Sequence, residues 1–240
     1  MRFYLFKIKM FFLKILRRIF EFFNMSTFSK PGLNGLDDKL DKYLNYSNGF
    51  FIEVGGNDGF TQSNTYYLEK FKNWKGILVE GIPELYEKCR NERKKSKVYN
   101  YALVANDFTE PYVEMHFANL MSVVEGSMLS EEGQREHIDK GVKVQDLKQS
   151  YSVQVPARTL ESVLDLLEQP IKIDFLSLDV EGYELEVLKG LNFKKYRPKF
   201  ILVEARNFDE INDYLAEEYD LVEQLSYHDY LFRVKSFKDE

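Results

Sequence analysis

One cysteine, Cys89, stands in 240 residues, so no disulfide can form within the chain and a reducing compartment suits it. The thiol falls in the helix expected over 83–93, beside Lys88 and Arg90, and a plain core or surface thiol is the ordinary reading. Histidine is almost as scarce: His116, His137 and His228 are the full set. A lone histidine is more often a packed or surface residue than a base, although His137 stands in a segment where a substrate contact is conceivable. No Gly-x-Ser-x-Gly elbow surrounds Ser63, Ser122 or Ser127, which removes support for hydrolase chemistry. No charge-free apolar run approaches the ~18–20 residues that a membrane-spanning helix needs. A secretory leader is not expected, because charges interrupt residues 1–25 and no small-residue cleavage site follows. No internal repeat or low-complexity tract is visible. The length fits one α/β domain with additions, and 44% hydrophobic residues can build a sizeable core.

Negative charge is unevenly spread. The net charge is -6, yet residues 1–25 hold six basic residues (Arg2, Lys7, Lys9, Lys14, Arg17, Arg18) against one acid, Glu21. The rest of the chain is therefore strongly acidic, which argues against a nucleic-acid partner because nothing would neutralise the phosphates. On a helix of 100° per residue, Leu5, Ile8, Phe12, Leu16, Ile19 and Phe23 fall on one face, flanked by Tyr4, Phe11, Ile15 and Phe22, and no charge enters that arc. A basic amphipathic helix rich in Phe reads as lying in an anionic membrane interface. An ordinary helix docked on the domain or on a second subunit is the competing reading. Residues 26–34, with Pro31 and Gly32, read as a linker, and 35–240 as the main domain. The resulting expectation is a cytoplasmic protein peripherally associated with a membrane.

The most informative stretch is Phe50-Phe-Ile-Glu-Val-Gly-Gly-Asn-Asp-Gly59. An apolar run ends in a carboxylate and passes into a glycine loop, with a helix expected over 62–71. Glycines at such a turn let the backbone approach a ligand closely, although many αβ connections carry glycine for structural reasons alone. The spacing fails the Gly-x-Gly-x-x-Gly dinucleotide fingerprint, because Asn57 stands where the second glycine belongs. Glu53-x-Gly55-x-Asn57-x-Gly59 has the shape of an S-adenosylmethionine loop, with Glu53 facing the amino group of the methionine part. Gly76-Ile-Leu-Val-Glu80 ends in a second carboxylate, placed to hold a ribose hydroxyl pair.

These segments, together with Thr61-Gln-Ser-Asn-Thr65, Val155-Pro-Ala-Arg-Thr-Leu160 and Leu178-Asp-Val-Glu-Gly-Tyr-Glu184 followed by Val187-Leu-Lys-Gly190, resemble the FkbM family of methyltransferases. The resemblance runs from about Gly49 to about Val234. It fails before Leu33 and between about Asn119 and Ser152, and Gly81-Ile82-Pro83 replaces the family's usual residues after Glu80. It implies a Rossmann-like class I methyltransferase fold, α/β, with a mostly parallel sheet and a closing antiparallel strand.

Strands are expected at 50–54, 76–80, 97–103, 173–178 and 199–203, with a further extended piece at 112–117 and a closing hairpin at 219–225 and 230–234. Helices are expected from Leu33 to Leu44, over 83–93, from the Thr159 cap to about Glu168, over 182–188 and over 208–217. Residues 119–152 are polar and glycine-containing, unsuited to a core strand. They read as a cap over the site or as a disordered surface insertion.

Carboxylates gather at the strand ends: Glu53, Glu80, Asp179, Glu181 and Glu204. Each alone can serve as a helix cap, but several in one cleft raise each other's pKa at a cost in stability. Asp179 is the first candidate base, with Glu181 beside it. Asp179, Glu204 and Asn207 also resemble the oxygen ligands of Mg²⁺ in metal-dependent O-methyltransferases. The leading functional expectation is S-adenosylmethionine-dependent O-methylation of a sugar hydroxyl on a glycan or glycolipid. A non-catalytic membrane-associated interaction protein with the same fold and an NAD(P)-dependent oxidoreductase are the alternatives.

Overall fold

The computed structural model describes residues 2–124, 131–144, 150–167 and 171–235, with side chains in the first helix from Phe12 onward. In chain order the elements are α1 (Arg2–Phe22), α2 (Leu36–Leu40), β1 (Phe50–Val54), α3 (Tyr66–Phe71), β2 (Lys75–Val79), α4 (Pro83–Glu92), β3 (Lys97–Tyr99), β4 (Ala102–Leu103) and β5 (Tyr112–Phe117). They continue as β6 (Val123–Val124), α5 (Glu131–Val144), β7 (Tyr151–Arg158), α6 (Leu160–Leu164), β8 (Phe175–Leu178), α7 (Glu184–Lys189), β9 (Phe200–Glu204), α8 (Phe208–Leu215), β10 (Tyr219–Gln224) and β11 (Asp229–Val234).

Seven strands form the main sheet in the order β10-β11-β9-β8-β1-β2-β3. β3, β2, β1, β8 and β9 run parallel, and β11 pairs antiparallel with both β9 and β10. The central strands are short apolar runs buried on both faces, as parallel strands must be when helices cover them. Side chains alternate across the sheet. Ile52, Val54, Ile77, Leu176, Leu178 and Ile201 face α6, α7 and α8, whereas Phe51, Leu78, Phe175 and Leu202 face α2, α3 and Trp74. The strand order reverses between β1 and β8, and at such a point the loops at the carboxyl ends open a crevice.

Several expectations on the chain are met closely. The closing hairpin lies at β10 and β11, and Thr159 caps α6 by accepting the Ser162 N–H at 3.1 Å. Residue 168, the expected end of that helix, lies outside the described residues. Other expectations need correction. The helix expected from Gln62 begins only at Tyr66, because Gln62 has φ +61° and residues 63–65 spend their polar groups on Glu53. A second sheet, β4-β7-β5-β6, stands beside the first. Within 119–152, α5 packs through Ile138 and Gly141 on Ala118 and Met121, and β6 contributes buried Val123 and Val124. Residues 125–130 and 145–149 of that segment lie outside the described residues. The stretch 26–34 is tied down: Ser29 donates to Glu21 at 3.0 Å, and the Gly32 N–H donates to Asp37 at 2.6 Å.

Candidate active site

Register brings the loops together. Val54 of β1 pairs with both Val79 of β2 and Leu178 of β8, so the next residues, Gly55, Glu80 and Asp179, converge. The Asp179 N–H donates to Val54 O at 3.1 Å, and the Gly55 N–H to Val79 O at 3.0 Å. Gly55 sits at φ +88°, and a Cβ there would lie 1.9 Å from the Asp179 carbonyl oxygen. Only glycine lets the two loops approach this closely.

Between these loops opens a cleft. Glu53, Gly55, Asn57 and Glu80 line one side, Asp179, Glu181 and Tyr183 the other, and Tyr101, Met115 and Leu120 close it. Gly59 stands behind it, at φ +83° and packed on Cys89 and Arg93. Glu80 is buried and accepts the N–H groups of Asn57 (2.7 Å) and Ile82 (2.8 Å), one on each oxygen. The carboxylate so held keeps acceptor capacity for a ligand hydroxyl. Burial pushes its carboxyl up to about 7, and those backbone bonds partly oppose the shift. Gly81 is less constrained than Gly55: a Cβ there would fall 2.3 Å from Met115 Sδ, the end of a flexible side chain that can move aside.

Glu53 has a different employment from the one expected. Its Oε2 accepts from Ser63 (3.0 Å), Thr65 (2.6 Å) and Arg93 (3.1 Å), and its Oε1 from the Asn64 N–H (3.0 Å). Arg93 is fully buried and also pairs with Glu69 at 3.0 Å. Glu53 therefore anchors the loop at 63–65, and only Oε1 keeps capacity to face a ligand ammonium. Arg93 escapes sequence reasoning because its partners are 24 and 40 residues away.

The Leu178–Glu184 turn is the most acidic part of the site. Glu184 reaches back to accept the N–H groups of Val180 (3.1 Å) and Gly182 (2.9 Å), which pins the turn. Glu181 adopts φ +57°, a conformation disfavoured for a non-glycine residue and common at functional sites. Its carboxylate pairs with Arg206 and lies 3.6 Å from His137 Nε2 of α5. Burial and the Arg206 charge press His137 down to about 4, so the ring is neutral at pH 7. Asp179 is held well above the usual carboxylate range, first by burial and then by Glu204, Glu181, Glu184 and Asp229. Glu204 is itself hydrogen-bonded to Asp179.

The Mg²⁺ assignment to Asp179, Glu204 and Asn207 finds no support. Asn207 is exposed at the start of α8, and among the described residues no three His, Cys, Asp or Glu side chains surround one point. Cys89 is fully buried and its thiol is pushed up by burial, which suits packing rather than reactivity.

The description "Methyltransferase FkbM domain" matches residues 53–233, three quarters of the chain. The chain belongs to the FkbM methyltransferase family. It is an S-adenosylmethionine-dependent methyltransferase domain. Among functionally curated proteins, none is similar enough in sequence to match. Similar solved structures include human methyltransferase 10 domain containing protein (12% identity, TM-score 0.43, covering 85% of this chain and 83% of that one). Another is precorrin-6y C5,15-methyltransferase from Geobacter metallireducens GS-15 (11% identity, TM-score 0.41, 84% and 87%). A third is TrmK of M. capricolum in complex with S-adenosyl-homocysteine (8% identity, TM-score 0.40, 84% and 71%).

The cleft fits the cofactor of the FkbM family on its own chemistry. Gly55 leaves a cradle that any Cβ would fill, and Glu80 offers two buried acceptors to a pair of hydroxyls. The family signature divides its labour among its acids: Glu184 holds the turn, Glu181 meets Arg206 and His137, and Asp179 faces the cleft.

Proposed function

We propose that this domain transfers a methyl group to a sugar hydroxyl of a glycan or glycolipid. The observation that supports this reading is a second cavity, which shares Gln62, Asn64 and Asp179 with the cofactor cleft. Glu204, Ser226, Tyr227, His228 and Asp229 line its polar side, and Leu33, Asn34 and Leu36 complete it. Its carboxylates and amides offer hydrogen-bond acceptors to several hydroxyls, and the exposed Tyr227 ring offers a face to a pyranose. Two compartments joined at one carboxylate suit a reaction in which a hydroxyl in one attacks a methyl group in the other.

When bound, S-adenosylmethionine supplies an electrophilic methyl on its sulfonium. Glu80 and the Gly55 backbone hold the nucleoside end, and the outer cavity aligns the hydroxyl, an orientation effect worth several kcal/mol. Asp179, its proton affinity raised by burial and by Glu204, accepts the hydroxyl proton. Arg206 keeps the Glu181 charge compensated at the mouth.

The test uses S-adenosylmethionine labelled in its methyl group, with panels of glycans and glycolipids, and mass spectrometry to locate the label. Label on a sugar oxygen, lost by about 10²–10⁴ in rate with Asp179→Asn, supports the assignment. Transfer to nitrogen or carbon overturns the acceptor class. Cofactor binding without transfer to any acceptor favours the non-catalytic interaction protein.

A further inference from the structure

The first helix meets the domain with the wrong side for an ordinary packed helix. Arg17 is buried, donates to Glu92 of α4 at 2.8 Å and lies 3.7 Å above the Phe60 ring. Arg18 donates to the same carboxylate at 2.8 Å. Glu21 accepts from Tyr66 (2.6 Å) and Ser29 (3.0 Å) and lies 3.3 Å from the Lys70 ammonium. The polar stripe of α1 is thus the docking stripe. The apolar stripe points outward: Phe12, Ile15, Leu16, Ile19, Phe22 and Phe23 are all exposed, Phe22 to 84%. A contiguous apolar patch of this kind marks an interface rather than a solvated surface.

We propose that this face of α1 seats the protein on an anionic lipid surface. This goes beyond the methyl-transfer reading and does not depend on it. Among the described residues, no helix is long and apolar enough to cross a membrane, so α1 would lie in the interface plane. Charge identifies the occupant. The only acid of residues 1–25, Glu21, is turned into the domain, and exposed Lys14 adjoins the patch, with Arg2, Lys7 and Lys9 preceding it in the same helix. A second copy apposed by two-fold symmetry would bring cations against cations. An anionic bilayer takes both the apolar stripe and its basic flank. Between α1 and α4 runs a groove of mixed charge, lined by Leu13, Phe28 and Phe60 with Lys14, Lys88, Asp58 and Glu92. That groove ends at Thr61, which also lines the cofactor cleft. The ion pairs of Arg17 and Arg18 therefore fix the membrane face relative to the active cleft.

Sedimentation of the full-length protein with phosphatidylglycerol-containing vesicles tests the proposal, with pure phosphatidylcholine vesicles as the control. The protein should pellet with the anionic vesicles and be released as salt rises. Ile19→Ser with Phe22→Ser should weaken partitioning by about tenfold or more, and Lys14→Ala by about fivefold. Both sites are exposed, so the melting midpoint and S-adenosylmethionine affinity should stay unchanged in these variants. Wild-type protein that remains in the supernatant at low salt overturns the proposal. Sedimentation velocity adds a second reading: a dimer that the Ile19/Phe22 variant converts to monomer, without vesicle binding by wild type, assigns the face to a second copy.

Discussion

At the residue scale, Glu80 and Asp179 are separated by what surrounds them. Glu80 has a backbone N–H on each oxygen and lies deep between β2 and the glycine loop, whereas Asp179 faces other carboxylates. Glu80→Ala should weaken S-adenosylmethionine binding by ~1–3 kcal/mol in calorimetry, because buried ligand hydroxyls lose their charged acceptor. A folded variant of unchanged affinity would detach Glu80 from the ribose. The pH dependence has a defined sign. The free carboxyl titrates at about 7 and binds hydroxyl donors best when ionised, so affinity should rise as pH goes from 6 to 8 and level off above that range. Glu80→Gln should flatten this profile. Asp179→Asn should leave cofactor affinity nearly intact while lowering turnover, a split that a general loss of structure would not produce.

At the element scale, the acids at the strand ends are held by cations and backbone groups that no local pattern announces. Arg93 ends α4 and ties it to β1 through Glu53 and to α3 through Glu69, fully out of solvent. Arg93→Met leaves two buried carboxylates uncompensated and should cost ~3–5 kcal/mol in urea unfolding. Adding Glu53→Gln and Glu69→Gln should restore part of that loss, since the penalty comes from the orphaned charge. If the single variant is as stable as wild type, the clamp has no structural importance. The glycine loop, β2, β8, the acidic turn and the closing hairpin were legible because each carries its signal within ten residues: an apolar run, a terminal acid, a glycine. The second sheet was not, since β4 and β6 are two residues each and gain their pairing only from β7 and β5. The orientation of α1 was half legible. Its apolar arc is readable from periodicity, but which half meets the domain depends on Glu92 and Tyr66, far along the chain.

At the scale of the whole molecule, the site is a concentration of buried acid that the fold tolerates rather than favours. Asp37, Glu80 and Glu184 are each pushed up to about 7 by burial, and Asp179, Glu181, Glu204 and Asp229 are raised as well. In the unfolded chain the same groups titrate near 4. Between those values the native state holds more protons than the unfolded state, so stability falls as pH rises. The contribution is fully present below about pH 4 and lost once pH passes through the folded values near 7. Acids shifted the other way, such as Glu21 beside Tyr66, Ser29 and Lys70, act in the opposite sense but are fewer and less deeply buried. The apoprotein should therefore be more stable at pH 6 than at pH 8, by on the order of a few kcal/mol, and melt at a higher temperature at pH 6. Asp179→Asn and Glu184→Gln should each reduce the slope of that dependence. Thermal melts across this range check it directly. A midpoint that climbs from pH 6 to pH 8 in the apoprotein would mean that the acid cluster is compensated by cations in solution, and Asp179 would then lose the raised proton affinity that suits it to act as the base.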